Sequence, residues 1–189
     1  MRAVLARGWP VFLAAIVGNA VVQALTSLPQ ATPGPAVGFV LLAAASGIAL
    51  VVSLAVVVAR VRGAADAGAP AWRWTDGVAA LAGVLVIALA GLVSSWLVTP
   101  AIAVVLIVLA GVAVGRGVAG FGVFRHTPGR AILLLLATLA VVGLLWLAAL
   151  LLGFFVTGWL AAGLTWLAFG VAGVLLLCGW TSLARRAVR

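Results

Sequence analysis

Three long stretches of the chain contain no Asp, Glu, Lys, Arg or His: residues 8–59, 77–115 and 131–184. Each is too long to cross a bilayer once. As a single helix, residues 77–115 would reach about 60 Å at ~1.5 Å per residue, twice the ~30 Å of a hydrocarbon core. Each stretch is also broken near its middle by residues that stop or start helices. The first break is Pro29-Gln30-Ala31-Thr32-Pro33-Gly34-Pro35, whose prolines cannot continue a helix. The second is Thr99-Pro100, a good cap residue followed by the residue favoured at a first helical position. The third is Gly153-Phe154-Phe155-Val156-Thr157-Gly158-Trp159. The pattern predicts six transmembrane helices near residues 9–28, 36–59, 77–97, 100–115, 131–152 and 160–182. Polar segments at about 60–76 and 116–130 join them as three antiparallel hairpins. The expected fold is all-α: a polytopic membrane protein, one six-transmembrane-helix bundle over residues 1–189.

Composition turns this hydropathy reading into a statement about solvent. Of the 189 residues 67% are hydrophobic and 7% charged, with a mean hydropathy of +1.43, whereas soluble domains carry about 25% charged residues. A soluble fold of this size still exposes roughly a third of its unfolded surface, which so apolar a chain cannot present to water. Six helices of about 20 residues use about 120 positions and leave about 70, too few for a separate soluble domain.

The net charge of +9 arises from eleven arginines and no lysine against two acids. In a soluble protein it would suggest nucleic acid. Here the arginines flank apolar spans, so orientation and anionic lipid headgroups are the expected partners, and nucleic acid is not. With six spans, Arg2 and Arg7, then Arg60, Arg62 and Arg73, then Arg116, Arg125 and Arg130, then Arg185, Arg186 and Arg189 all fall on one side. Were residues 77–115 a single crossing, the last six would change sides and the bias would vanish. The positive-inside rule therefore supports the even count and places both termini in the cytoplasm. Trp9, Trp72, Trp74 and Trp180 are expected at the inner interface, and Trp96 and Trp159 at the outer one, as aromatic belts require. Arg2 and Arg7 before an apolar run, with Val22-Gln23-Ala24 beyond, loosely outline a signal peptide. The run is long for that role and opens on Pro10, so a retained span is expected. The abundance of Arg, Ala, Gly and Val, all with GC-rich codons, suggests a GC-rich bacterial genome and the bacterial cytoplasmic membrane.

Candidate chemistry is sparse. No span carries an ionisable Asp, Glu, Lys, Arg or His, which counts against ion-coupled transport, proton pumping and voltage sensing. One histidine and one cysteine, Cys178, offer no haem, zinc or disulfide pattern; no cofactor and no metal are expected. Acid–base catalysis would have to draw on Asp66, Asp76 and His126, all in predicted loops. Asp66 reads as a solvated linker charge, and Asp76, just before the third span, as a helix cap. Arg116-Gly117-Val118-Ala119-Gly120-Phe121-Gly122 lacks the lysine and hydroxyl residue of a phosphate-binding loop. Arg116, Arg125, His126 and Arg130, with Phe121 and Phe124, suit an interfacial loop whose rings enter the acyl boundary and whose cations meet headgroups or a protein partner.

Polar residues inside the spans supply the remaining candidates. Asn19 and Gln23 lie four apart, on one face of the first span. Counting back from the outer turn places Asn19 level with Ser46, so an Asn19–Ser46 hydrogen bond is expected, with Gly18 and Gly47 letting the backbones approach. A competing arrangement is an outward-opening polar pocket of Gln23, Ser94, Ser95 and Thr165, walled by Trp146 and Trp166. Small-residue faces at Ala43 and Gly47, and at Gly111, Gly115 and Ala119, suggest helix contacts. Thr32-Pro33-Gly34 and Thr127-Pro128-Gly129 hint at an inverted repeat, but Thr99-Pro100 breaks the pattern, and Thr-Pro is read simply as a helix-start signal. Three functions are compatible with this inventory: a non-catalytic accessory or scaffold component of a membrane complex, a small transporter or binding subunit for a neutral or hydrophobic solute, and, with least support, a membrane enzyme.

Overall fold

The structure is a computed structural model that describes residues 2–28, 37–65, 72–156 and 158–187. The proline-rich connection at 29–35 and Asp66 lie outside the described residues. The elements are α1 (Arg2–Thr26), α2 (Val37–Ala65), α3 (Trp74–Val93), α4 (Ser95–Ala113), a 3-10 segment (Gly117–Gly122), α5 (Val123–His126), α6 (Pro128–Phe155) and α7 (Trp159–Arg186). All of the α-helices except the single turn α5 are long and apolar enough to cross a membrane, which makes six spans. The chain is an all-α, multi-pass membrane bundle.

Most helices overrun the limits that hydropathy sets. α2 continues past Ala59 to carry Arg60 and Arg62 in its last turns, and α7 carries Arg185 and Arg186 in its own. A span ends for hydropathy where charge begins. The helix itself continues into the headgroup zone, where an arginine near a C-terminus complements the dipole. α1 likewise starts at Arg2, with Pro10 inside it. The turn between α3 and α4 lies at Ser94, not at Thr99-Pro100. Ser94 alone is extended (φ −165°, ψ 136°), its N–H donates to the Ala90 carbonyl at 2.9 Å, and Pro100 sits in the second turn of α4. Length explains the difference. A helix over 100–115 would reach only about 24 Å, whereas the 19 residues of α4 reach about 28 Å, close to the hydrocarbon thickness. Thr127-Pro128 does open α6.

α4 and α7 form the centre of the bundle. α4 packs on α2, α3, α6 and α7, and α7 packs on α1, α4 and α6; α1 and α2 close one flank. Glycines set the approach. A β-carbon at Gly83 of α3 would lie 2.7 Å from Val105 of α4, and one at Gly170 of α7 would lie 2.7 Å from Ile16 of α1. Gly163, one heptad before Gly170, faces Ala24 in the same seam. The buried core gathers toward the arginine-bearing end: Phe12, Val58, Val61, Leu109, Leu177 and Trp180 all lie there. At the opposite end Leu92, Val93, Phe154 and Phe155 are exposed. Lipid solvates such side chains as well as protein does, so only close packing and polar ties hold the helices there.

Candidate functional site

The first candidate cluster lies between α1 and α2. Ser46 Oγ donates to Gln23 Oε1 at 2.7 Å, and Gln23 Nε2 donates to the Ser46 carbonyl at 3.1 Å. The second Nε2 proton points toward Asn19 Oδ1 at 3.4 Å. The expected Asn19–Ser46 bond is therefore replaced by a two-bond Gln23–Ser46 link, with Asn19 as a neighbour on its own helix. Two further ties fix the register: Ser53 Oγ donates to the Ala15 carbonyl at 3.0 Å, and the Arg60 guanidinium donates to the Arg7 carbonyl. In an antiparallel pair these contacts put Asn19 level with Ala49–Leu50, one turn from where helix ends alone would put it. Gly18 and Gly47 do not form the close approach expected of them, since a β-carbon at either would meet nothing within 4 Å. Ala43 is exposed and Gly47 half-buried with nothing within 4 Å of an added β-carbon, so among the described residues the Ala43–Gly47 face makes no close helix contact.

The postulated outer pocket does not assemble. Ser94 and Ser95 lie at the α3–α4 turn, while α1, which carries Gln23, packs on α2 and α7. Thr165 stands two residues beyond Gly163, whose α-carbon faces Ala24, and so points from a different side of α7. Trp146 and Trp166 converge on Phe169, with ring centroids 5.5 and 6.5 Å from it, as packing between and along α6 and α7.

At the other end of the bundle the acidic residue is fully engaged. Asp76 is 0% exposed; its Oδ1 meets the Arg62 guanidinium in a buried ion pair, and its Oδ2 accepts the Arg73 N–H at 3.1 Å. Expected just before the helix as its cap, Asp76 lies instead in the first turn of α3, three residues after the N-cap Arg73, whose N–H it accepts as in a capping box; the ion pair is an addition. It was legible in principle, because Arg62 and Asp76 flank the one connection between the consecutive helices α2 and α3. Trp180, expected in the interfacial belt, is instead 1% exposed. Its Nε1 donates to Thr138 Oγ1 at 3.1 Å, and Phe124 packs on its ring at 6.1 Å. Phe124 thus joins the core and only Phe121 stays exposed. Trp9, Trp72, Trp74, Trp96 and Trp159 are all exposed, as belt residues are.

Glycines shape the segment between α4 and α6. α4 ends in a Schellman motif: Gly115 is left-handed (φ 77°), its N–H donates to the Val112 carbonyl at 2.9 Å, and the Arg116 N–H donates to the Gly111 carbonyl at 2.8 Å. Gly111, Gly115 and Ala119 are therefore not one helical face. After Gly117 (φ 52°) the chain folds back onto α4, so that a β-carbon at Gly111 would fall 1.9 Å from the Gly117 carbonyl and one at Gly120 2.7 Å from the Ile107 carbonyl. Arg116, Arg125, His126 and Arg130 are all exposed around this turn. Comparisons with protein-family models, with curated proteins and with solved structures find no match.

Proposed function

We propose that the chain is a non-catalytic accessory or scaffold component of a complex in the bacterial cytoplasmic membrane, with both termini in the cytoplasm. The observation that carries this reading is the engagement of Gln23, a buried candidate ligand residue: its amide is bonded to Ser46 and Asn19. Asp76 is likewise held by Arg62 and the Arg73 amide, which leaves little with which to bind or transform a solute. Eleven arginines on one face favour the orientation and an anionic lipid surface beneath it.

Affinity purification of the tagged chain from its native host in mild detergent tests the proposal. A second membrane protein recovered in stoichiometric amount supports it. A chain that elutes alone, together with solute uptake that falls when Gln23 or Thr165 becomes leucine, overturns it in favour of a transporter.

A further inference from the structure

Between the folded-back turn, the end of α4 and the last turns of α7 lies a recess of about 30 Å³, lined by Val114, Arg116, Gly120, His126, Ala184 and Ala187 among others. At about 10–15 Å³ per water-sized group it admits a small polar head and not an extended solute. Its two polar side chains, Arg116 and His126, are N–H donors, and Arg125 and Arg130 stand exposed nearby in sequence. No carboxylate opposes them among the described residues, since Asp76 is locked to Arg62. The remaining lining residues are valines, alanines and glycines, and Val118 and Phe121, outside the lining but on the same turn, are exposed. One helical turn deeper on the Ala184 side of α7, Thr181 is 2% exposed and its hydroxyl has no hydrogen-bond partner.

We propose that this recess is a notch for the phosphate of an anionic phospholipid headgroup. Arg116 and His126 donate to the phosphate oxygens, the flanking arginines raise the local anion concentration, and Val118 and Phe121 contact the glycerol and upper acyl region. The exposed Val118 and Phe121 on the same turn are what favour a lipid over a free anion. The inference rests on the orientation proposed above only for which leaflet supplies the lipid, so it can fail or hold independently of the scaffold role.

The test uses the purified full chain in a neutral detergent, with its thermal unfolding midpoint followed as phosphatidylglycerol, phosphatidylcholine of the same acyl chains, or inorganic phosphate is titrated. Phosphatidylglycerol is expected to stabilise saturably, and the other two only at concentrations at least roughly tenfold higher. Arg116→Gln should raise the phosphatidylglycerol half-saturation roughly fivefold. Ala187→Phe, which keeps every charge and fills the recess, should raise it at least as much. Arg73→Gln, an exposed arginine at the start of α3, should leave it unchanged. An equal loss in Arg73→Gln and Arg116→Gln overturns the notch in favour of diffuse attraction, as does an Ala187→Phe variant that binds normally. Inorganic phosphate acting at the same concentration as the lipid overturns the lipid assignment.

Discussion

Gln23 shows how far residue types alone carry a membrane sequence. A carboxamide within an apolar span has to find a partner, and its residue type announces that need; Ser46 on the next helix is the natural donor. What residue type cannot supply is the register, because an antiparallel pair slides by one turn without changing which faces meet, and Asn19 and Gln23 are one turn apart. The Ser53–Ala15 and Arg60–Arg7 contacts decide it, and both end on backbone carbonyls that a sequence does not mark. Gln23→Leu should therefore destabilise the bundle by about 0.6 to 2 kcal/mol, the range for interhelical polar ties in membranes. Ser46→Ala should cost less, because the bond from Gln23 Nε2 to the Ser46 carbonyl survives it. Asn19→Leu should cost least. Unfolding in mixed micelles ranks the three; an Asn19 variant as damaging as the Gln23 variant contradicts the observed register. Trp180 gives the complementary case. Its position near the end of a span suggested an interfacial anchor, yet Thr138 stands opposite to accept its N–H, so the ring turns inward. Trp180→Phe should lose that bond for about 1 kcal/mol, while Trp180→Ala should cost about 3–5 kcal/mol through the cavity it leaves.

The helical elements were readable from hydropathy because continuous apolar runs of about 20 residues suit membrane helices and not the short alternating strands of a barrel, and their ends were readable only where a stop signal acts through the backbone. Gly115 ends α4 because its left-handed conformation satisfies the last carbonyls, whereas Thr99-Pro100 is tolerated inside α4 because a proline in the second turn frees a single carbonyl near the interface. The folded-back turn after α4 was hidden for a different reason: it depends on two glycines, Gly111 and Gly120, whose α-carbons approach across it. Gly111→Ala would drive a methyl into the Gly117 carbonyl and should cost about 1–3 kcal/mol or more. Gly18→Ala, with nothing within 4 Å, should be neutral or stabilise α1 by up to about 1 kcal/mol. The pair read together, by thermal unfolding in detergent, separates a packing requirement from a general dislike of alanine. The tie between α2 and α3 behaves differently again. Removing only Asp76 takes a carboxylate from the buried Arg62 guanidinium and an acceptor from the Arg73 N–H, and Asp76→Ala should cost about 3–5 kcal/mol. Arg62→Met combined with Asp76→Leu should cost clearly less than the sum of the single changes. Additive losses in that double-mutant cycle would show that the two side chains do not act as a pair.

For the whole molecule, the concentration of buried core at the arginine-bearing end and the exposure of the opposite end give orientation a structural correlate. Arg60, Arg62, Arg116, Arg125, Arg130, Arg185 and Arg186 lie on the same end as Phe12, Leu109 and Trp180, while Trp96, Phe154 and Trp159 mark the other. In the proposed orientation, which follows the asymmetry in charge, the segment that most depends on tight backbone packing, the turn against α4, would lie in the cytoplasmic headgroup zone. A thiol placed at each end reads this directly, because the one native cysteine, Cys178, is buried within α7 and out of reach of an impermeant reagent. In sealed cells, Trp159→Cys should react with a membrane-impermeant maleimide, and Arg125→Cys should react only after the membrane is permeabilised. Inverted vesicles should exchange the two results. Labelling of Arg125→Cys in intact cells would reverse the orientation and place the eleven arginines outside. Labelling of both positions from one side would instead mean an even number of crossings between residues 125 and 159, where α6 alone supplies one, and the hairpin pairing itself would have to be redrawn.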